Sequence, residues 1–172
     1  DEYMDAEGTA YYFIEGTDYL SGFIAKTVYG FEALAPITAG EAEAVAAGFL
    51  QPVIPGFSGY ERLFTDHSEQ DAEYQVQYAK CIQGIPTDDM VNILIRDDGE
   101  ICSFMRFNIG TYDTVAFDPQ CTAAYDAEVP ENAALAVQYF TRRDGAVVLL
   151  RCYMVPNQAG YDVPFEQCIP IG

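Results

Sequence analysis

Carboxylates that could do chemistry are concentrated between residues 84 and 104, in the segment GIPTDDMVNILIRDDGEICSF. The acids of this segment are Asp88, Asp89, Asp97, Asp98 and Glu100. Carboxylate oxygens bind hard cations such as calcium, and paired carboxyl groups serve as general acid and base. The segment is therefore the first place in this sequence to test for a metal or catalytic site.

The spacing of these acids supports neither chemistry. An EF-hand loop with Gly99 at its sixth position would place Leu94 at the first and Met105 at the twelfth, where oxygen ligands are required. The apolar run 90–95 reads as a strand of about 20 Å, which holds the two acid pairs apart. We therefore interpret the acids as the solvated ends of a hairpin that turns at Asp98 and Gly99, and we predict no metal site.

Other catalytic patterns are also weak. The single histidine, His67, lies between Asp66 and Ser68, whereas the members of a catalytic triad converge from separate elements, so we predict an exposed loop histidine. The sequence contains no dinucleotide-binding or Walker motif. With 27 acidic residues, some pair meets the spacing of a two-carboxylate hydrolase by chance. We predict no catalytic residue and no cofactor, and the hydrolase stays open as an alternative.

Length and charge exclude several partners. A chain of 172 residues, half of them hydrophobic, is long enough to bury a core. The formal charge of −19 would repel nucleic acid and anionic membrane surfaces. No apolar run reaches the roughly 18 to 20 residues of a membrane helix, so we expect no membrane insertion. The chain begins at Asp1, which leaves open a processed signal or lipoprotein leader.

Five cysteines are spread along the chain without a C-x-x-C pair, which argues against a zinc ribbon or a thioredoxin-type site. Cys152 and Cys168 lie on the two arms of the last predicted hairpin, where they could face each other. A disulfide between them is the one to test if the protein is extracellular. Buried free thiols are the competing interpretation.

The pattern of residues predicts an α+β fold, with an antiparallel sheet built from hairpins and one main amphipathic helix packed on one face. Thr38 and Glu41 form a capping box, and apolar residues at helical spacing predict a helix over 39–50. Residues 52–72 are predicted as a loop. The predicted strands occupy residues 73–82, 90–95 and 100–107, with hairpins over 8–34 and 134–155 and a last strand over 161–169.

These elements divide into three segments: an N-terminal hairpin over 1–35, a helix with a three-stranded meander over 36–118, and a C-terminal hairpin segment over 119–172. The stretches PITAGEAEAVAAGFLQPV and YQVQYAKCIQGIPTDDMVNILIRDDGEICSFMRF resemble the opening helix and the sheet of PepSY-like, peptidase-propeptide-type domains. The flanking hairpins are similar to those of proteins with tandem units of this kind. The resemblance covers residues 10–155.

The resemblance implies a secreted or cell-envelope protein of bacteria that has no catalysis of its own. We therefore expect an extracellular or cell-surface module that binds a protein or peptide, with a peptidase among the partners that it could modulate. Two alternatives stay open: a small acidic hydrolase with paired carboxylates, and a structural domain of a surface protein. Two inward-facing acids in a cleft would favour the hydrolase, whereas an unpaired strand edge with exposed aromatic residues would favour binding.

Overall fold

The computed structural model describes residues 1–17, 19–26 and 35–171. Within these residues the chain forms ten strands and two α-helices. It divides into two compact units, the first comprising residues 1–80 and 89–109 and the second comprising residues 81–88 and 110–172. None of the described helices is long and apolar enough to cross a membrane.

The first unit is a sheet with a helix on its inner face. Its strands follow the order β1-β2-β3-β7-β6-β5-β4, and the chain passes between the units within β5 and β6. The elements are β1 (Glu2–Met4), β2 (Ala10–Phe13), β3 (Leu20–Ile24), α1 (Ala39–Val53), β4 (Tyr60–Ser68), β5 (Glu73–Ile82), β6 (Ile85–Arg96) and β7 (Ile101–Phe107). The strands expected over 73–82 and 100–107 are thus confirmed as β5 and β7. The strand expected over 90–95 is the second half of β6, which begins five residues earlier, at Ile85. Of the hairpin predicted over 8–34, residues 18 and 27–34 lie outside the described residues.

Helix α1 begins where its capping residues predict. The Glu41 amide donates to Thr38 Oγ1 at 3.3 Å, and the Thr38 amide donates to Glu41 Oε2 at 2.8 Å. Ala42, Ala46 and Leu50 recur every four residues and are fully buried. This stripe packs on the inner sheet residues, which are Val76, Tyr78, Val91, Ile93, Ile95 and Phe104. The stripe positions α1 across the sheet because only that face of the helix is apolar.

The second unit is built on a three-stranded antiparallel sheet. Its elements are a short helix α2 (Ala123–Asp126) and strands β8 (Ala134–Arg143), β9 (Ala146–Pro156) and β10 (Asp162–Pro170). Strand β8 also pairs in parallel with the unit's part of β6, at Thr87 and Phe140. The register sets Phe140 opposite Leu149 and Leu149 opposite Ile169, so one row of side chains forms the centre of the core.

The predicted α+β class is wrong. Of the described residues, 49% are in strands and only 16% are helical, so the fold is mostly β. Helix α1 packs on one face of one sheet. It contains far fewer residues than the strands do, so it does not form a second layer of comparable size. The fold has more strands than the pattern predicts because residues 60–68, within the loop predicted over 52–72, form the nine-residue strand β4.

Candidate functional site

The first acid pair does not form a solvated strand end, contrary to the sequence interpretation, because Asp89 is buried and Asp88 is partly buried within β6. Neighbouring residues of a strand point to opposite faces, and Asp88 and Asp89 are neighbours on β6. Within the second unit, Asp88 accepts hydrogen bonds from the Tyr112 hydroxyl and from Thr141 Oγ1, the latter at 2.7 Å. Within the first unit, Asp89 is 1% exposed and accepts from the Tyr60 hydroxyl at 2.7 Å. Opposite orientation prevents this pair from acting on one substrate.

The second acid group belongs to a turn with its own cation. Arg96 donates from Nη2 to Asp98 Oδ2 at 2.7 Å and also contacts Glu100. The hydrogen bond from Arg96 holds the pKa of Asp98 below its usual value. The interpretation as turn acids is therefore confirmed for Asp98 and Glu100. In the described part of the chain, no three side chains of His, Cys, Asp or Glu gather in a group that could hold a metal ion.

His67 lies on strand β4 and not in a loop. Its Nε2 is 2.9 Å from Asp97 Oδ1, and its ring lies 4.4 Å from the Tyr74 ring, centroid to centroid. The Ser68 hydroxyl donates to Asp71 at 2.7 Å, so residues 66–68 do not form a catalytic triad. The His67 and Asp97 pair connects the end of β4 to the turn between β6 and β7.

Strand β4 lies at the edge of the first unit's sheet. It pairs antiparallel with β5 from Tyr60, opposite Lys80, to Ser68, opposite Glu73. Among the described residues no strand pairs with its other side. Alternate residues of such a strand direct their main-chain N–H and C=O groups away from the sheet, where a further strand could bind them.

Strands β1 and β10 also lie at sheet edges, but they are less suited than β4 to pair with a strand from a partner. Strand β1 has only three residues, and β10 carries Pro164, which has no N–H to donate. Strand β4 has nine residues and no proline. Of the three terminal strands, β4 therefore offers the longest set of main-chain donors and acceptors.

The start of β4 is anchored by a buried polar cluster. The Tyr60 hydroxyl donates to Asp89 and accepts from Arg106 Nη2 at 3.1 Å. Burial, followed by the hydrogen bond to Asp89, raises the pKa of Tyr60 far above its ordinary value, so the hydroxyl stays a donor. The Phe57 ring stacks on Tyr60 with centroids 5.8 Å apart. Three elements thus fix the position of one side chain.

The middle and the end of β4 are anchored on the same face. Glu43 of α1 forms an ion pair with Arg62 and accepts from Thr65 Oγ1 at 2.8 Å. The contact of His67 with Asp97 holds the end of the strand. The four anchored side chains are those of Tyr60, Arg62, Thr65 and His67. All four point to the inner face, which leaves the outer face of β4 for other contacts.

The outer face of β4 carries exposed apolar and acidic side chains, which we call the edge surface: Glu61, Leu63, Phe64 and Asp66. A β-bulge between Arg62 and Phe64 inserts Leu63 as an extra residue. Leu63 is 42% exposed and Phe64 is 40% exposed. Sheet edges are usually protected by short length, proline, bulges or charged side chains. Strand β4 has the bulge and the charged side chains, yet it exposes a large apolar pair.

The predicted disulfide partners are near each other but not directly opposed. Cys152 lies opposite Glu166, and Cys168 lies opposite Leu150, so the two cysteines are diagonal neighbours on β9 and β10. Diagonal residues of an antiparallel pair are about 7–8 Å apart, farther than directly opposed ones. Both thiols are free in the structure. The disulfide stays a prediction. To form it, β9 and β10 would have to shift so that the two diagonally placed cysteines come closer together.

No protein-family model, no curated protein and no solved structure matches this chain. The PepSY-like resemblance therefore stays a prediction. Function has to be inferred from the geometry, in which two features converge on β4: an anchored inner face and an accessible outer edge with apolar side chains. This arrangement can bind an extended peptide through main-chain hydrogen bonds.

Proposed function

We propose that the protein is a non-enzymatic protein- or peptide-binding module that binds an extended partner segment along β4. The observation that carries the proposal is the edge surface, in which Leu63 and Phe64 are exposed beside the outer main chain of a nine-residue strand. In this mode of recognition the main-chain hydrogen bonds supply affinity and alternate side chains supply specificity.

The anchors of β4 support the proposal because binding to a prepared edge requires little ordering. Fixing the backbone of one residue costs roughly 1–2 kcal/mol, so a mobile edge strand would lose much of its binding free energy. Tyr60, Thr65 and His67 are each held by a side chain from another element. The edge is therefore ordered before a partner arrives.

The acids support binding over the hydrolase alternative. A two-carboxylate mechanism needs two acids directed at one substrate. Asp88 and Asp89 point to opposite faces of β6, and Asp98 and Glu100 both contact Arg96. The exposed Phe64 on an edge strand likewise favours a binding module over a purely structural domain.

The proposal keeps the location and partner class that follow from the PepSY-like resemblance. We infer an extracellular or cell-surface module, and a peptidase is the first protein partner to test. An extended segment of a peptidase, such as a surface loop or a terminal strand, is the part that would lie along β4.

A library of extended peptides tests the binding mode. We expect some peptides to bind the wild type and to lose at least tenfold in affinity for Phe64→Glu, since the substitution puts a charge where the partner's apolar side chain would lie. Phe107→Glu is the matched control, because Phe107 is 41% exposed and lies on β7, away from the edge. It should leave affinity unchanged.

Single N-methyl groups placed along a bound peptide then test the main-chain contacts. Blocking one hydrogen bond should weaken binding by roughly tenfold, and only at alternate positions, because every second N–H points toward the sheet. Peptides that bind Phe64→Glu as tightly as the wild type, or that tolerate N-methyl groups everywhere, would show that β4 is not the binding edge.

A further inference from the structure

The edge surface also contains information about the sequence of the partner. Glu61, Phe64 and Asp66 lie opposite three alternate residues of β5, namely Ala79, Gln77 and Gln75. The bulge at Leu63 absorbs one residue of β4, so these three side chains occupy successive positions on the same face. A strand added along β4 would meet them with its own first, third and fifth residues.

Both ends of this row are acidic. Glu61 and Asp66 are exposed, and among the described residues neither forms an ion pair. Arg62, which follows Glu61 along the strand, points to the inner face, where Glu43 binds it. The row therefore presents a negative group, an apolar ring and a negative group in order, and the chain as a whole carries a charge of −19.

We propose that the partner segment has the pattern basic-x-apolar-x-basic, with Lys or Arg opposite Glu61 and Asp66 and a large apolar residue opposite Phe64. The inference rests on the proposed function, because it presumes that a strand adds to β4. Charge complementarity across paired strands selects this pattern, since an acidic segment would place like charges directly opposite each other.

A second copy of the chain is a poor occupant of the same edge. If two β4 strands paired antiparallel around Phe64, Glu61 of one copy would face Asp66 of the other at both ends. Like charges directly opposite are destabilising, and two molecules of charge −19 also repel at long range. The two acids thus oppose self-pairing and attract a basic partner.

Four short peptides test the pattern: Lys-x-Leu-x-Lys, the neutral Gln-x-Leu-x-Gln, the non-apolar Lys-x-Gln-x-Lys and the displaced Lys-x-Leu-Lys-x, all with the same flanking residues. We expect the first to bind about three- to tenfold tighter than the second, which corresponds to about 0.3–0.7 kcal/mol for each of two exposed ion pairs. Its advantage should shrink at high salt. Affinities would be measured by fluorescence anisotropy.

The double variant Glu61→Gln with Asp66→Asn should remove the preference for lysine while leaving the neutral peptide's affinity unchanged. Asp162→Asn with Glu166→Gln is the matched control, because these exposed acids have nearly the same spacing on β10. The control should keep the preference.

The outcomes separate the two proposals. Equal binding of the lysine and glutamine peptides, both weakened by Phe64→Glu, would overturn the basic pattern and leave the binding function standing. Absence of binding by every peptide would overturn both. A preference that persists in the Glu61 and Asp66 double variant would also contradict the pattern, as would a chain that dimerises through β4 in sedimentation experiments.

Discussion

At the scale of single residues, Gly22 shows how closely the strands of the first unit pack. Gly22 lies opposite Met105 in the pairing of β3 with β7. A Cβ atom at this position would be 2.5 Å from Met105 Sδ and 2.6 Å from the Phe104 carbonyl oxygen. The methionine side chain can move, but the main-chain oxygen cannot move without disturbing the strand. The position therefore requires glycine because of this close approach.

Replacing Gly22 with alanine should lower the free energy of unfolding by about 1–3 kcal/mol, the usual cost of forcing an extra carbon into a packed region. Urea denaturation would measure the change. Gly48→Ala is the matched control, since Gly48 is exposed on α1 and an added Cβ would have no neighbour within 4 Å. It should raise stability by roughly 0.5–1 kcal/mol, as alanine is the better helix former. A neutral Gly22→Ala would mean that β3 and β7 can separate at no cost.

At the scale of elements, β4 depends on contacts from other parts of the first unit. Its start contacts β6 and β7 through Asp89 and Arg106, its middle contacts α1 through Glu43, and its end contacts the turn at Asp97. An edge strand has a main-chain partner on one side only, so these side-chain contacts take the place of a second ladder in fixing its position.

Tyr60→Phe tests the first of these anchors. The variant removes the hydroxyl between Asp89 and Arg106, and leaves a buried carboxylate short of one hydrogen bond. Bonds to charged groups contribute about 1.5–3 kcal/mol, so we expect a loss of that size in urea denaturation, with faster amide exchange along β4. Tyr19→Phe is the control, because Tyr19 is 62% exposed. Equal stability of the two variants would show that the cluster does not anchor the strand.

The sequence predicts the elements of the first unit to different degrees. Helix α1 was predictable because its capping box and apolar stripe are local patterns. Strand β4 was not predicted because the bulge at Leu63 interrupts the alternation on which strand prediction depends. Its inner side chains are also polar, and their partners Glu43, Asp89 and Asp97 are distant in sequence. A sheet without β4 has a smaller share of strand residues, and this is the physical reason that the pattern predicts α+β for a mostly β fold.

The burial of Asp89 was nevertheless visible in the sequence. Thr87, Asp89, Val91, Ile93 and Ile95 alternate along β6, and all five are buried. Period-two alternation alone assigns Asp89 to the same face as the apolar residues that follow it. The two acids are adjacent in sequence and share a charge, but the period of the strand places them on opposite faces. The candidate site was less accessible to prediction, since it is an edge and has no motif.

At the scale of the whole molecule, net charge is the dominant feature. Only 8 basic residues accompany 27 acidic ones. A net charge far from zero keeps a protein soluble but destabilises the compact state through self-repulsion. The same charge would attract a basic partner from a distance and raise its association rate at low salt. Because both effects arise from the same net charge, the stability of the protein and its affinity for a basic partner should both depend on ionic strength.

We therefore expect the melting temperature to rise with sodium chloride, because the Debye length falls from about 30 Å at 0.01 M to about 8 Å at 0.15 M. Each kcal/mol gained should raise the melting temperature by about 2–4 °C for a chain of this size. Reversing three exposed acids, by Glu69→Lys, Glu131→Lys and Glu166→Lys, should flatten the salt dependence, since each reversal replaces a negative charge with a positive one. Neutral glutamine at the same sites should have half the effect.

Differential scanning calorimetry at pH 7 and near the pI of 4.1 separates this repulsion from general salt effects. Self-repulsion is largest at pH 7 and vanishes near the pI, so the salt dependence should disappear there. Exclusion of salt from the protein surface would stabilise at both pH values. A salt dependence that is equal at the two pH values, or unchanged by the lysine substitutions, would show that the acids are spread widely enough to cost no stability. In that case the charge would act on partners alone.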